Sequence, residues 1–310
     1  MIFASLFAPK ADLSESDRRT ALRMLKWQVI AGAGADGLAS GGFLVAFALI
    51  LGANNTQIGL MTALPFLAQP VQILAVALVE RLRMRKAIGV TAYFIQYGVW
   101  VPIALIPFVI DVPNALAVSA LLVLITVRGT AAAFLNAAWN GWLRDLVPQN
   151  AMGAFFAQRL RVSTLAAAIV ALAAAFYIDW WKDTASEDNI IFGYSYAILI
   201  GALLFGWTAV GFMSRIPEPR MAASPGPRAP IIKSLSAPYS DRNFRHLVNF
   251  LFLWNFATHL AIPFFAVYML KVIGIPLSAV VALAVLSQVV NVLFLRVWGP
   301  LVDRLGSKVV

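Results

Sequence analysis

Eight long apolar segments run through this sequence, and they constrain its fold more than any other feature. Each is roughly 20 residues or longer, which is the length a helix needs to cross a bilayer core. A soluble domain could not bury this much apolar surface, because 61% of the 310 residues are hydrophobic and only 12% are charged. The segments are continuous, unlike the short alternating strands of a membrane barrel. The sequence therefore predicts an all-α polytopic membrane protein with spans at residues 27–52, 57–79, 87–110, 115–138, 155–181, 191–214, 247–270 and 277–298.

Lysine and arginine are distributed unequally between the two sides of these spans. Counted by alternate loops, 21 of the 24 basic residues fall on one side, two (Lys182 and Lys271) fall on the other, and Arg128 lies within a span. Basic residues accumulate on the cytoplasmic side of membrane proteins. We therefore predict a cytoplasmic N-terminus in a bacterial-type inner membrane. The net charge of +10 is then a topology signal, and we expect the lipid bilayer as a partner but no nucleic acid.

A proline-rich, basic connection separates the first six spans from the last two. Its polar composition is typical of a flexible linker. The predicted organisation is a cytoplasmic segment at 1–26, a six-helix bundle at 27–214, a cytoplasmic linker at 215–243 and two further helices at 244–310.

A loop motif occurs twice, at corresponding places in the two groups of helices. The copy after the eighth span has the pattern Gly-x-x-x-Asp-Arg-x-Gly-x-Lys and comprises Gly299, Asp303, Arg304, Gly306 and Lys308. The copy after the second span is weaker: it keeps an acid–arginine pair, Glu80 and Arg81, and lacks both glycines. This repeated pattern resembles the signature loop of the major facilitator superfamily. The sequence around Arg128 in span four resembles the arginine-centred motif of the same family, with Ala132 at a position where glycine is expected.

The resemblance implies a transporter fold with twelve spans in two halves built from inverted repeats. This chain would supply the first half and the first two helices of the second half. We expect it to be part of a longer protein, whose other four helices would be partners of the two seen here. A genuine eight-span protein is the alternative. The resemblance identifies no subfamily.

Charged and titratable side chains inside the spans are the first candidates for function, since a charge at the bilayer centre costs about 2.5–3.5 kcal/mol on insertion scales. Among the ionisable residues deep inside the spans, Asp36 in span one and Arg128 in span four are the only pair of opposite charge. We predict that they form an ion pair involved in proton coupling. The alternatives are a permanent structural ion pair, and an Asp36 that lies near the interface and is merely solvated.

Neutral polar residues in the spans are weaker candidates for lining a substrate cavity. Asn255 and His259 are four residues apart and therefore share a helix face, and a histidine can titrate near physiological pH. The alternative for each residue is an ordinary hydrogen bond between helices. The predicted cavity residues are Gln69, Asn136, Asn140, Asn255, His259 and Gln288.

No enzyme motif is found in the sequence. It has no cysteine, no histidine–carboxylate cluster with metal-ligand spacing and no phosphate-binding loop of the Walker type. We expect no cofactor, no metal and no enzymatic activity. The predicted function is secondary transport of a small solute by alternating access, with protons as a second candidate partner. The alternative is a non-transporting membrane protein of the same fold, such as a sensor, an assembly factor or a truncated remnant.

Overall fold

The fold of the chain is given by a computed structural model. The structure describes residues 7, 9–11, 13–38, 41–221 and 237–305, with side chains described except at 150, 237–238, 259–260 and 295–305. Within these residues there are eight helical segments long and apolar enough to cross a membrane, which confirms the predicted spans. Spans one to eight are Glu15–Ile50, Asn55–Leu82, Arg85–Val109, Ala115–Leu146, Met152–Thr184, Glu187–Ser214, Arg242–Ile273 and Leu277–Leu305.

Several helices extend beyond the predicted apolar segments. Span one begins at Glu15 instead of residue 27, and span four continues to Leu146 instead of residue 138. Hydropathy marks only the part of a helix that contacts lipid, whereas caps determine where its hydrogen bonding begins. Asn54 caps span two with a reciprocal Asn54–Gln57 capping box, and Asp241 caps span seven by accepting from two backbone amides.

Several spans are interrupted along their length. Span one consists of two helices, Glu15–Leu38 and Gly42–Ile50, and between them Gly41 has a φ of 59°. Such a φ is open to glycine and strained for most other residues. Span six contains a π-helical turn at Gly201–Gly206, and span seven contains one at Tyr268–Ile273. Interruptions of this kind occur often at functional sites.

The first six spans pack around a common apolar core. Span one contacts spans five and six, while span four contacts spans two and three. The helices approach closely where glycine replaces a side chain: a Cβ atom on Gly37 would lie 2.7 Å from the carbonyl oxygen of Ala167 in span five. The largest fully buried side chains include Trp100, Trp142, Tyr97, Tyr194, Phe43 and Phe47.

Spans seven and eight pack against one end of this group. Span seven contacts the helices Gly42–Ile50 and Asn55–Leu67, and span eight contacts span five and Gly42–Ile50. Most side chains of these two spans remain exposed in the chain as described. The end of the first group that contacts spans seven and eight is called the opposite end. The end that carries Lys10 and the connection between spans two and three is called the basic end.

The predicted linker does not begin as a free segment. Its first residues, 215–221, pack against the basic end, where Ile216 and Glu218 are almost fully buried. Two backbone hydrogen bonds join this segment to Lys10, one from the Lys10 amide to the Glu218 carbonyl (2.8 Å) and one from the Arg220 amide to the Lys10 carbonyl (2.8 Å). The polar composition predicted flexibility, but the paired backbone and the buried carboxylate hold this part in place. Residues 222–236 lie outside the described residues.

Candidate functional site

Asp36 and Arg128 are in contact, although 92 residues separate them in sequence. Arg128 Nη2 donates to Asp36 Oδ1 at 2.9 Å. The helix ending at Leu38 carries Asp36, and the middle of span four carries Arg128. About half of the Asp36 side chain is exposed (46%), against 21% for Arg128. The pair therefore lies at the wall of an open space, with its carboxylate facing that space.

Aromatic and polar side chains surround the ion pair. The guanidinium of Arg128 lies over the Trp100 ring, 5.0 Å from its centroid, a geometry that stabilises a cation. Next to Asp36, Tyr97 donates its hydroxyl to the Gly32 carbonyl at 3.1 Å. Gln28 Nε2 donates to the Tyr93 hydroxyl at 2.6 Å. Spans one, three and four thus hold a hydrogen-bonded polar layer within an otherwise apolar bundle.

Two cavities meet at Asp36. The smaller, about 260 Å³, lies among spans one, three, four and five and is lined by polar side chains, including Gln28, Gln96, Asn136 and Arg159. The larger, about 540 Å³, lies among spans one, five and eight and extends to Gln288. Asp36, Ala33 and Ser163 line both. A third space, an apolar groove of about 720 Å³, runs along spans three and four away from these charges. Such a groove is expected on a surface that faces lipid tails.

The structure brings some of the predicted cavity residues to this site and leaves others away from it. Asn136 lines the smaller cavity and Gln288 the larger. The prediction placed Gln69, Asn140 and Asn255 there as well, but none of them lines either cavity. Gln69 Nε2 donates to the Pro65 carbonyl of its own helix at 3.3 Å, and Asn255 Nδ2 donates likewise to Leu251 at 2.7 Å. Each of these two amides thus donates to a carbonyl of its own helix. The presence of a polar residue in a span therefore did not show whether it lines a cavity.

Several predicted residues cannot be placed by their side chains. His259 lies within the helix Arg242–Val267, but its side chain is outside the described residues. The same holds for Gly299, Asp303 and Arg304 on the last helix, while Gly306 and Lys308 lie beyond the part of the chain that is described.

The first copy of the loop motif ends its helix with a left-handed residue. Glu80 and Arg81 lie in the last turn of the helix Gln72–Leu82. Arg83 follows with a φ of 52°, in the left-handed region that favours glycine. Arg83 occupies the place that Gly306 takes in the second copy. The chain thus makes a left-handed turn here with an arginine in place of a glycine.

A buried charge cluster that the sequence did not predict lies at the basic end. Arg85, 4% exposed by its side chain, pairs with Asp145 at 2.7 Å and contacts Glu218 at 3.5 Å. The Glu218 carboxylate also accepts from the backbone amides of Arg85 (2.7 Å) and Lys86 (3.0 Å) at the start of span three. Trp142 Nε1 donates to the Pro217 carbonyl at 3.0 Å. The acid between two prolines, Pro217-Glu218-Pro219, was the available signal, but nothing local indicates its partners.

A carboxylate also joins the two groups of helices at the opposite end. Asp179 of span five accepts hydrogen bonds from the amides of Leu277 (3.2 Å) and Ser278 (2.8 Å), the first residues of span eight. This is an N-cap supplied by another helix, and both the amides and the helix dipole favour the negative charge. Span eight is thereby held to span five at this end.

Eight spans, a partly buried ion pair and a polar cavity between helices define a polytopic α-helical membrane protein with an internal polar site. The sequence profile of the Major Facilitator Superfamily matches residues 29–310. The chain therefore belongs to that superfamily, whose members are membrane transporters rather than enzymes. Comparison with curated proteins and with solved structures gives no match.

Proposed function

We propose that this protein is a secondary transporter that moves a small solute by alternating access, with proton movement linked to Asp36. The observation that carries the proposal is the Asp36–Arg128 pair at the junction of two cavities, one of which is lined by both groups of helices. Charged residues inside a membrane span cost free energy and are therefore candidates for a functional role. A polar space beside that charge is suitable for binding a solute.

The contacts between the two groups of helices support alternating access. At the opposite end, spans seven and eight contact the first group, and Asp179 holds the start of span eight. At the basic end, the first half of span seven is exposed from Arg242 to Ala257. This arrangement corresponds to a state closed at the opposite end. With the basic end placed in the cytoplasm, as the distribution of basic residues favours, the state is inward-facing.

Proton coupling follows from the chemistry of the pair. A guanidinium keeps a neighbouring carboxylate ionised, and loss of that contact in a low-dielectric site favours the protonated form. A solute or a helix movement that displaces Arg128 from Asp36 would therefore promote proton uptake. Half of the Asp36 side chain faces the cavities, so water can deliver the proton.

The test is solute uptake by the complete protein into proteoliposomes, with and without an imposed pH gradient, normalised to folded protein. Asp36→Asn should abolish accumulation driven by the gradient and leave counterflow exchange largely intact, because exchange needs no net proton movement. Arg128→Ala should damage both. Unchanged gradient-driven accumulation by Asp36→Asn would remove Asp36 from the coupling role.

A non-transporting member of the fold, such as a sensor or an assembly factor, is the second candidate. This candidate would be favoured if Asp36 and Arg128 pair only to stabilise the fold. In that case both substitutions would lower expression and thermal stability together, and any residual transport would keep its pH dependence. Failure of both flux assays with the well-folded, complete wild-type protein would support this candidate.

A further inference from the structure

Arg159 is a second cation at the smaller cavity, and the Asp36–Arg128 pair does not neutralise it. It lies in span five, seven residues after Met152, which is about 10 Å into the helix at 1.5 Å per residue. Its guanidinium lies over the Trp139 ring, 5.6 Å from the centroid. No ion pair to Arg159 is found among the described residues. Its charge therefore faces a cavity without a protein counter-ion in the part of the chain that is described.

The charges around this cavity sum to one positive charge. Asp36 contributes one negative charge and Arg128 cancels it at 2.9 Å, which leaves Arg159. An uncompensated cation within a membrane protein is expensive, and an anionic ligand would supply the missing charge. A guanidinium presents parallel N–H donors that match the two oxygens of a carboxylate. The charge balance thus favours a ligand with a single carboxylate over a neutral or cationic solute.

The rest of the cavity wall is suited to hydroxyl groups. Gln28, Gln96 and Asn136 line it, and their amides can both donate and accept. The Oε1 atoms of Gln28 and Gln96 accept no hydrogen bond from any described residue, and each of these glutamines is less than one-tenth exposed. An unpaired buried acceptor costs free energy. Rotation of a terminal amide, which has a broad torsional minimum, would turn such an oxygen towards a ligand hydroxyl.

We propose that the smaller cavity binds a small hydroxycarboxylate, with its carboxylate on Arg159 and its hydroxyl groups on the glutamine and asparagine amides. This inference rests on the proposed function, because it names the class of solute for that site. A volume of about 260 Å³ corresponds to roughly nine water molecules at about 30 Å³ each. This space is sufficient for a short acid.

The experiment measures binding without transport, using the purified full chain in detergent. Thermal unfolding is titrated with two hydroxy acids, lactate and gluconate, and with three controls. Lactamide removes the charge, propionate removes the hydroxyl, and sodium chloride matches the ionic strength. We expect a saturable rise in the unfolding temperature with at least one hydroxy acid. Lactamide and sodium chloride should give no saturable rise, and propionate should bind more weakly than lactate.

Variants assign the effect to Arg159. Arg159→Gln should raise the apparent Kd at least about tenfold, as expected for loss of a charge-assisted hydrogen bond. Arg161→Gln is the matched control, since Arg161 is exposed on the same helix and should keep the affinity of the wild type. If Arg159→Gln does not fold, Arg159→Lys replaces it: it keeps the charge without the planar fork, and the affinity should fall by less.

Three results would overturn the inference: no saturable shift with either acid, equal shifts with lactate and lactamide, or a shift that survives Arg159→Gln. These outcomes can be distinguished from failure of the proposed function. A protein that binds a hydroxy acid through Arg159 but catalyses no flux would refute transport and leave the site assigned. A protein that transports a solute but binds neither acid would refute only the assignment of the ligand.

Discussion

Removal of the Glu218 side chain should destabilise the basic end more than any exposed carboxylate could. Its carboxylate accepts two short hydrogen bonds, from the amides of Arg85 (2.7 Å) and Lys86 (3.0 Å). A third contact, from Arg85 Nε, is long at 3.5 Å and contributes little. The side chain is fully buried, so water cannot replace these bonds.

The magnitude follows from these contacts. A hydrogen bond to a charged group contributes about 1.5–3 kcal/mol, so two give roughly 3–6 kcal/mol, and breaking a buried ion pair costs about 3–5 kcal/mol. Arg85 would still have Asp145 at 2.7 Å and the Pro219 carbonyl at 2.9 Å, which favours the lower end of that range. We therefore expect Glu218→Ala to lower the free energy of unfolding by about 3 kcal/mol. Glu218→Gln keeps one acceptor oxygen and should cost roughly half as much.

The measurement is reversible unfolding by SDS in mixed micelles, followed by tryptophan fluorescence and far-UV circular dichroism. Glu15→Ala is the matched control, because Glu15 also pairs with an arginine, Arg19, at 3.0 Å, but its side chain is 86% exposed. Exposed helical pairs contribute little, so this variant should match the wild type. A loss below about 0.5 kcal/mol for Glu218→Ala, in the range of ordinary surface substitutions, would show that the buried contacts do not determine stability.

Three other predictions concern the two ends of the molecule. Asp179→Ala removes a cap worth about 1 kcal/mol. A cysteine at Val280, which is buried beside span one, should then react with maleimide roughly fivefold faster. An unchanged rate would show that Asp179 does not hold span eight to span five. Arg83→Gly relieves a left-handed residue and should stabilise the protein by about 0.5–1 kcal/mol; destabilisation would contradict the strain argument. Single cysteines at Ser186 and Ser224 in the cysteine-free chain should react with impermeant reagents from opposite sides of the membrane; reaction of both from outside would refute the proposed orientation.

The sequence predicted those features that depend on local composition or on a small number of possibilities. Hydropathy located all eight spans because each span is a continuous segment. The Asp36–Arg128 pair could be predicted because these two residues are the only oppositely charged side chains deep inside the predicted spans. The Glu218 cluster could not, since its partners lie 60 to 133 residues apart in sequence and many basic residues could have paired with that acid.

Arg159 shows a different limit of sequence reasoning. Counted by loops, it belongs with the basic residues of one side, because the apolar part of span five begins near it. The predicted span, 155–181, contained Arg159 only in its second turn, whereas the helix starts at Met152 and Arg159 lines the smaller cavity. The helix start depends on the turn at 149–151 and on packing of span five against span one, neither of which hydropathy measures.

The position of the ion pair also restricts how the proposed coupling could operate. Asp36 and Arg128 belong to spans one and four, which both lie in the first group of helices, so a rigid movement of span eight would change the larger cavity without separating the pair. Separation requires a movement within the first group. The element suited to that movement is the interruption of span one at Gly41, whose φ of 59° allows two helical pieces to meet at an angle, five residues from Asp36. Span eight contacts the piece beyond this interruption, Gly42–Ile50. Under the proposed mechanism, closure at the opposite end would thus act on Asp36 through the bend in span one, and solute binding at Arg159 would act on it directly through the shared cavity.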